Sequence, residues 1–270
     1  MKVERKCRNV VFTRQPLVLV LAQLRFSPLA KMEEYIPAIQ DTFRKRGFPY
    51  YSVKEGFGLE ISTEGVKQNK LSQWLFETPD HRTSFLIDTG QVVFQTTAYQ
   101  SFEHFMEQFL LLTEAVLQIT EQDRLGMLQR LGLRFINLIR GEDWRAYLKE
   151  SFQGASSSLL IPDSQLFAQM TMGKVRLPDG KDSTFVLRLH QSKTGDALPP
   201  DLMAFAPMVA KDIQDKSSST MIDMDHFWEG SLGPGTDLSS ILTTFYALHD
   251  TIIEVFHESV ISEEAVKRWS

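Results

Sequence analysis

Ala22-Gln23-Leu24-Arg25-Phe26 and Leu131-Gly132-Leu133-Arg134-Phe135 read as two versions of one strand, 109 positions apart. The same offset pairs Tyr35 with Trp144, Ile39 with Leu148 and Phe43 with Phe152, bulky residues at helical spacing behind an apolar strand in both places. Further along, Phe85-Leu86-Ile87 aligns with Phe185-Val186-Leu187 at an offset of 100. Phe102, Phe105, Phe109 and Val116 then align with Leu238, Ile241, Phe245 and Ile252 at an offset of 136. The pattern predicts an internally duplicated α+β protein. Each copy is a β-α-β-β-(β)-β-α unit, giving two mixed or antiparallel sheets with long helices on one face, related by a pseudo-twofold.

Outward from the two strands, turn and cap signals divide the chain. Residues 1–15 form a basic arm, 16–125 the first repeat, and 126–270 the second, with an insertion over 192–217 rich in proline. In the first repeat a helix is expected over Met32–Arg46, starting or kinking at Pro37 and stopping at Gly47. Thr89-Gly90 fits a tight hairpin turn, and Ser101 is a good N-cap for a helix to Thr120. In the second repeat the expected elements are a strand over Leu128–Ile139, a helix over Glu142–Phe152, strands at Phe167–Arg176, Thr184–Gln191 and Met221–Phe227, and a last helix capped by Thr236 or Asp237.

Composition narrows the function classes. A net charge of -5 argues against a protein that coats nucleic acid through overall charge. The single cysteine, Cys7, excludes an intramolecular disulfide and a cysteine-based zinc cluster. Leu17–Leu24 is apolar but too short to span a bilayer, and the expectation is a cytoplasmic protein with no membrane association. Nineteen phenylalanines are enough to fill two cores.

Few residues offer chemistry. Arg25 and Arg134 occupy equivalent strand positions, so a pseudo-twofold would present two forked donors to an anion; the alternative is that each covers apolar surface with its stem. Asp223-Met224-Asp225-His226 puts two carboxylates on one strand face, with His226 on the other; the pair is able to hold a divalent cation, and the alternative is an acidic outward strand face. Arg5, Lys6 and Arg8 of the arm and the run Arg44-Lys45-Arg46 could contact nucleic-acid phosphates. His249 and His257 lack the i, i+4 companion of a helical metal site. No nucleophile elbow, phosphate-binding loop or dinucleotide fingerprint is present in the sequence, so no catalytic residue and no cofactor is assigned.

The chain resembles a sporadically distributed family of uncharacterised bacterial and archaeal proteins of similar length. The resemblance rests on Pro16-Leu17-Val18, Leu24-Arg25-Phe26, the run Arg130-Leu131-Gly132-Leu133-Arg134-Phe135-Ile136-Asn137, Ile222-Asp223-Met224-Asp225, and the ending from Leu248-His249-Asp250 to Ser262-Glu263-Glu264-Ala265. It implies a prokaryotic accessory gene of patchy distribution, the pattern of mobile or defence-linked genes. It brings no catalytic residues, and leaves Arg134 and Asn137 as ligand candidates. The expected function is a non-enzymatic binding or regulatory protein acting through a protein partner or self-association. The alternatives are nucleic-acid binding through Arg25, Arg134 and the arm, and a small-ligand or metal-dependent enzyme with a cleft between the repeats.

Overall fold

Strand β1 (Leu17–Phe26) and strand β6 (Leu128–Arg140) carry the two Leu-Arg-Phe runs and lie side by side in the sheet. The computed structural model describes residues 16–62, 65–152, 168–192 and 218–270. The arm at 1–15 and residues 193–217 of the insertion lie outside the described residues.

Between these two strands come α1 (Met32–Lys45), β2 (Tyr50–Ser62), β3 (Gly65–Glu77), β4 (Thr83–Ile87), β5 (Gln91–Thr96), α2 (Phe102–Ile119) and the short α3 (Gln122–Leu125). After β6 follow β7 (Ala168–Arg176), β8 (Asp182–Ser192), β9 (Ser219–Leu232), α4 (Leu238–Val255) and α5 (Glu263–Trp269). The nine strands among the described residues form one antiparallel sheet in the order β2-β3-β4-β5-β1-β6-β9-β8-β7.

That order corrects the expectation of two mixed or antiparallel sheets with long helices on one face. The reason lies in β6, which is buried without interruption from Leu131 to Ile139, on both of its faces. A strand of that composition cannot serve as a solvated sheet edge, and pairing β1 with β6 removes an open edge from each. The ladder is closed by Ser27 N–H donating to Met127 O at 2.9 Å and by Leu138 N–H donating to Pro16 O at 2.7 Å. The same holds at β4, where all five residues are buried and neither face is solvated.

The chain divides into two compact units, and β1, β6 and β9 each contribute to both. One unit, Leu21–Gly132 with Trp228–Thr244, has a phenylalanine ladder at its centre. Phe76, Phe85 and Phe94 stand opposite one another across β3, β4 and β5. Phe43 of α1 meets Phe76 and Phe85 edge-on, with centroids 4.9 and 5.1 Å apart, and Phe105 of α2 lies 5.0 Å from Phe94. Each such aromatic pair adds about 0.5–1.5 kcal/mol beyond its buried area. The α1 stripe Met32, Ile36, Ile39 and Phe43 is buried, and the helix runs through Pro37 without ending there. The Ser101 hydroxyl caps α2 by accepting from His104 N–H at 3.2 Å.

The other unit holds Leu133–Phe227 and Phe245–Ser270 together with the start of β1. Here the helix expected over Glu142–Phe152 is replaced by two 3-10 turns, Glu142–Tyr147 and Glu150–Phe152. Gly141 at φ 96° turns the chain sharply before them. Leu148 is then bridged to Ile261, and Lys149 N–H donates to Val260 O at 2.9 Å, so helical bonding cannot continue. Tyr147 and Phe256 stack with Trp269 of α5, whose N-cap is the Ser262 hydroxyl.

Candidate functional site

Arg134 leaves β6 and meets Asp223 of β9 in a two-pronged bond: Nε donates to Oδ1 at 2.7 Å and Nη2 to Oδ2 at 2.8 Å. Asp223 is fully enclosed and Arg134 only 8% exposed. Arg188 of β8 donates to the same Oδ2 at 3.1 Å, with its side chain about a third exposed. Two residues predicted for separate tasks are therefore partners, and each oxygen of Asp223 accepts from a guanidinium group. The planar fork matches the carboxylate, which is why arginine rather than lysine suits such a site.

Sequence reasoning missed Arg188. The signal was present in Phe185-Val186-Leu187-Arg188-Leu189, a lone charge in an apolar strand. Such a residue is found inside a fold only when a partner meets it there.

The other sequence candidates lie apart from this cluster or beside it. Asn137 is buried on β6 and Asp225 is half-buried on β9. Arg25 is exposed on β1, and its Nε donates to Gln91 Oε1 at 3.4 Å. Arg44 and Lys45 both bond Asp41 one turn back on α1, and these bonds hold the Asp41 carboxyl below the usual carboxylate range. Arg46 donates instead to the Leu111 carbonyl of α2 at 2.7 Å. Arg5, Lys6 and Arg8 lie outside the described residues.

His226 follows Asp223 by three positions and faces other partners. Its Nδ1 is 3.0 Å from Leu248 O and its Nε2 is 2.7 Å from the Ser183 hydroxyl. Nδ1–H is donated to the carbonyl, and the single Ser183 hydroxyl proton is shared between Nε2 and the Val175 carbonyl, 3.0 Å away. Burial pushes the imidazole below its ordinary value, and the Leu248 carbonyl opposes this in part. The pair has the contact of a serine–histidine dyad, but both residues are enclosed, at 1% and 0% exposure. Its chemistry is to tie β8, β9 and α4 together without a charge.

Among the described residues no group of three or more His, Cys, Asp or Glu side chains is placed to hold a metal ion. No helix among them is long and apolar enough to cross a membrane. No protein-family model, no curated protein and no solved structure matches the chain.

Proposed function

We propose that this chain is a binding protein that works through protein–protein contact, and that its first partner is a second copy of itself added along β7. The supporting observation is the state of β7. It ends the sheet order, and no other strand among the described residues pairs with its outer edge. Its residues are exposed or half-buried from end to end. Met170 and Met172 are 65% and 66% exposed on one face, an unusual cost for a solvated edge.

Edge strands are ordinarily protected by charges. Here the exposed charges are engaged sideways on β8: Lys174 donates to Thr184 Oγ1 at 2.8 Å and Arg176 to Asp182 Oδ1 at 2.8 Å. An antiparallel pair of β7 strands centred on Met172 sets methionine against methionine. It also places Lys174 opposite Met170 and Arg176 opposite Ala168, so like charges do not meet. Methionine adapts readily to such a surface, and the added ladder supplies main-chain hydrogen bonds. The accessory, defence-linked setting implied by the family resemblance goes with this reading.

Sedimentation velocity on the full chain tests it. A dimer that becomes a monomer in Met170→Lys with Met172→Lys is the expected result. A monomer at every concentration, with no protein retained in native co-purification, would overturn it.

A further inference from the structure

The methionines of this chain fall into two groups by exposure. Met32, Met106, Met221 and Met224 are each 4% exposed or less, as core side chains. Met170 and Met172 of β7 are 65% and 66% exposed, and Met127, in the other unit, is 39% exposed. A thioether open to water is the one that a hydroperoxide reaches, and its sulfoxide is polar where the thioether was apolar.

The two β7 methionines are not equivalent once a second copy is added. Met170, Met172 and Lys174 alternate with Thr171 and Gly173, so the three share one face of the strand. In the antiparallel pairing centred on Met172, this residue stands against its own counterpart, with Cβ atoms about 4.5–5.5 Å apart. Two thioethers meet there in an apolar contact. Two sulfoxides would meet as acceptors with no donor between them. Met170 stands instead against the second copy's Lys174. An ammonium has three donors, and Thr184 takes one of them, so a sulfoxide oxygen at Met170 finds a donor opposite it.

We propose that Met172 is an oxidation switch on the β7 interface, its sulfoxide separating the two copies while a sulfoxide at Met170 leaves them paired. The inference rests on the self-association proposed above. The oxidant is a hydroperoxide. One peroxide oxygen passes to the Met172 sulfur, an S–O bond forming as the O–O bond breaks. Sulfur loses two electrons, and the peroxide, reduced by the same two, leaves as water or an alcohol. The free copy is the one attacked, because pairing covers the sulfur, so the dimer protects itself and dilution opens it to oxidation.

The test treats the full chain with hydrogen peroxide, then reads sedimentation velocity and the mass of each methionine-containing peptide. Sulfoxide at Met172 should raise the dimer dissociation constant about a hundredfold, about tenfold for each unpaired oxygen. Met172→Leu should stay dimeric in peroxide, while Met170→Leu comes apart as the parent does. Met172 should oxidise more slowly as protein concentration rises, with Met127 keeping one rate as the internal reference. A parent that carries Met172 sulfoxide and remains dimeric overturns the proposal and leaves the self-association standing. So does a Met172→Leu variant that dissociates in peroxide as the parent does. A chain that is monomeric before any peroxide is added overturns the self-association and this inference with it. If Met172→Leu does not fold or pair, the partly oxidised parent decides: Met172 sulfoxide confined to the monomer fraction, with Met170 sulfoxide in both fractions, is the expected result, and equal Met172 sulfoxide in the two overturns it.

Discussion

Arg25 and Arg134 sit at the same place in the same Leu-Arg-Phe run, one position before a buried phenylalanine, on neighbouring strands. Their surroundings have nothing in common. Arg25 lies on the surface with one long bond to a glutamine. Arg134 is enclosed, with both prongs on a carboxylate that has no contact with solvent. A local motif sets which side of a strand a residue occupies. The strands beside it determine whether that side is water or core, and so whether the same guanidinium is dispensable or essential.

The comparison is broken most directly at Asp223. Asp223→Ala leaves Arg134 charged and buried without its carboxylate, and chemical denaturation should show a loss of about 3–5 kcal/mol. A loss under about 1 kcal/mol would mean that the pair behaves like a surface contact. Replacing Arg134→Met with Asp223→Leu removes the two enclosed charges along with their desolvation and leaves Arg188, about a third exposed, to water. The double variant should be more stable than Asp223→Leu alone, a non-additivity that a double-mutant cycle would measure.

His226 gives a smaller and pH-dependent effect. Its folded value lies below the ordinary histidine value, so on acidification the unfolded chain takes up the proton first. Stability is then complete above about pH 6.5 and falls as pH drops toward the folded value, by at most about 1.4 kcal/mol per pH unit for one proton. His257 is lowered by burial in the same direction and adds to the slope. The His226→Gln variant should therefore flatten the acid limb of a stability–pH curve without abolishing it. The smallest change is expected from Arg25→Ala, within about 0.5 kcal/mol of the parent by the same denaturation assay.

These contrasts mark how far the sequence was legible. The apolar runs, the Thr89-Gly90 turn, the Ser101 cap and the buried helix stripes were readable because each depends on residues a few positions apart. The Asp88 side chain and Gly90 N–H close the predicted turn at 2.9 Å, and Ser262 caps the last helix. The single sheet was not readable, since strand order depends on which edges pair across the whole chain. Nor was the partnership of Arg134 with Asp223, 89 residues apart. In sequence Asp223 reads as half of a cation-holding pair with Asp225 or as part of an outward acidic face, whereas it is fully enclosed and bonded to arginine. Its partner came from another strand, and spacing within one strand carries no information about that.

The adjacency of β1 and β6 also sets a timetable for biosynthesis. β1 leaves the ribosome first, yet its neighbour β6 begins at Leu128, more than a hundred residues later. At a synthesis rate of about 5–20 residues per second, the β6-side edge of β1 waits roughly 5–20 s before it can be paired. During the wait, Val18 to Phe26 is an open edge on a growing chain. The nascent protein is therefore a client for whatever shields exposed strands at the tunnel exit. A translational pause placed after β1 has emerged and before Arg140 clears the tunnel would lengthen that exposure, while a later one would not.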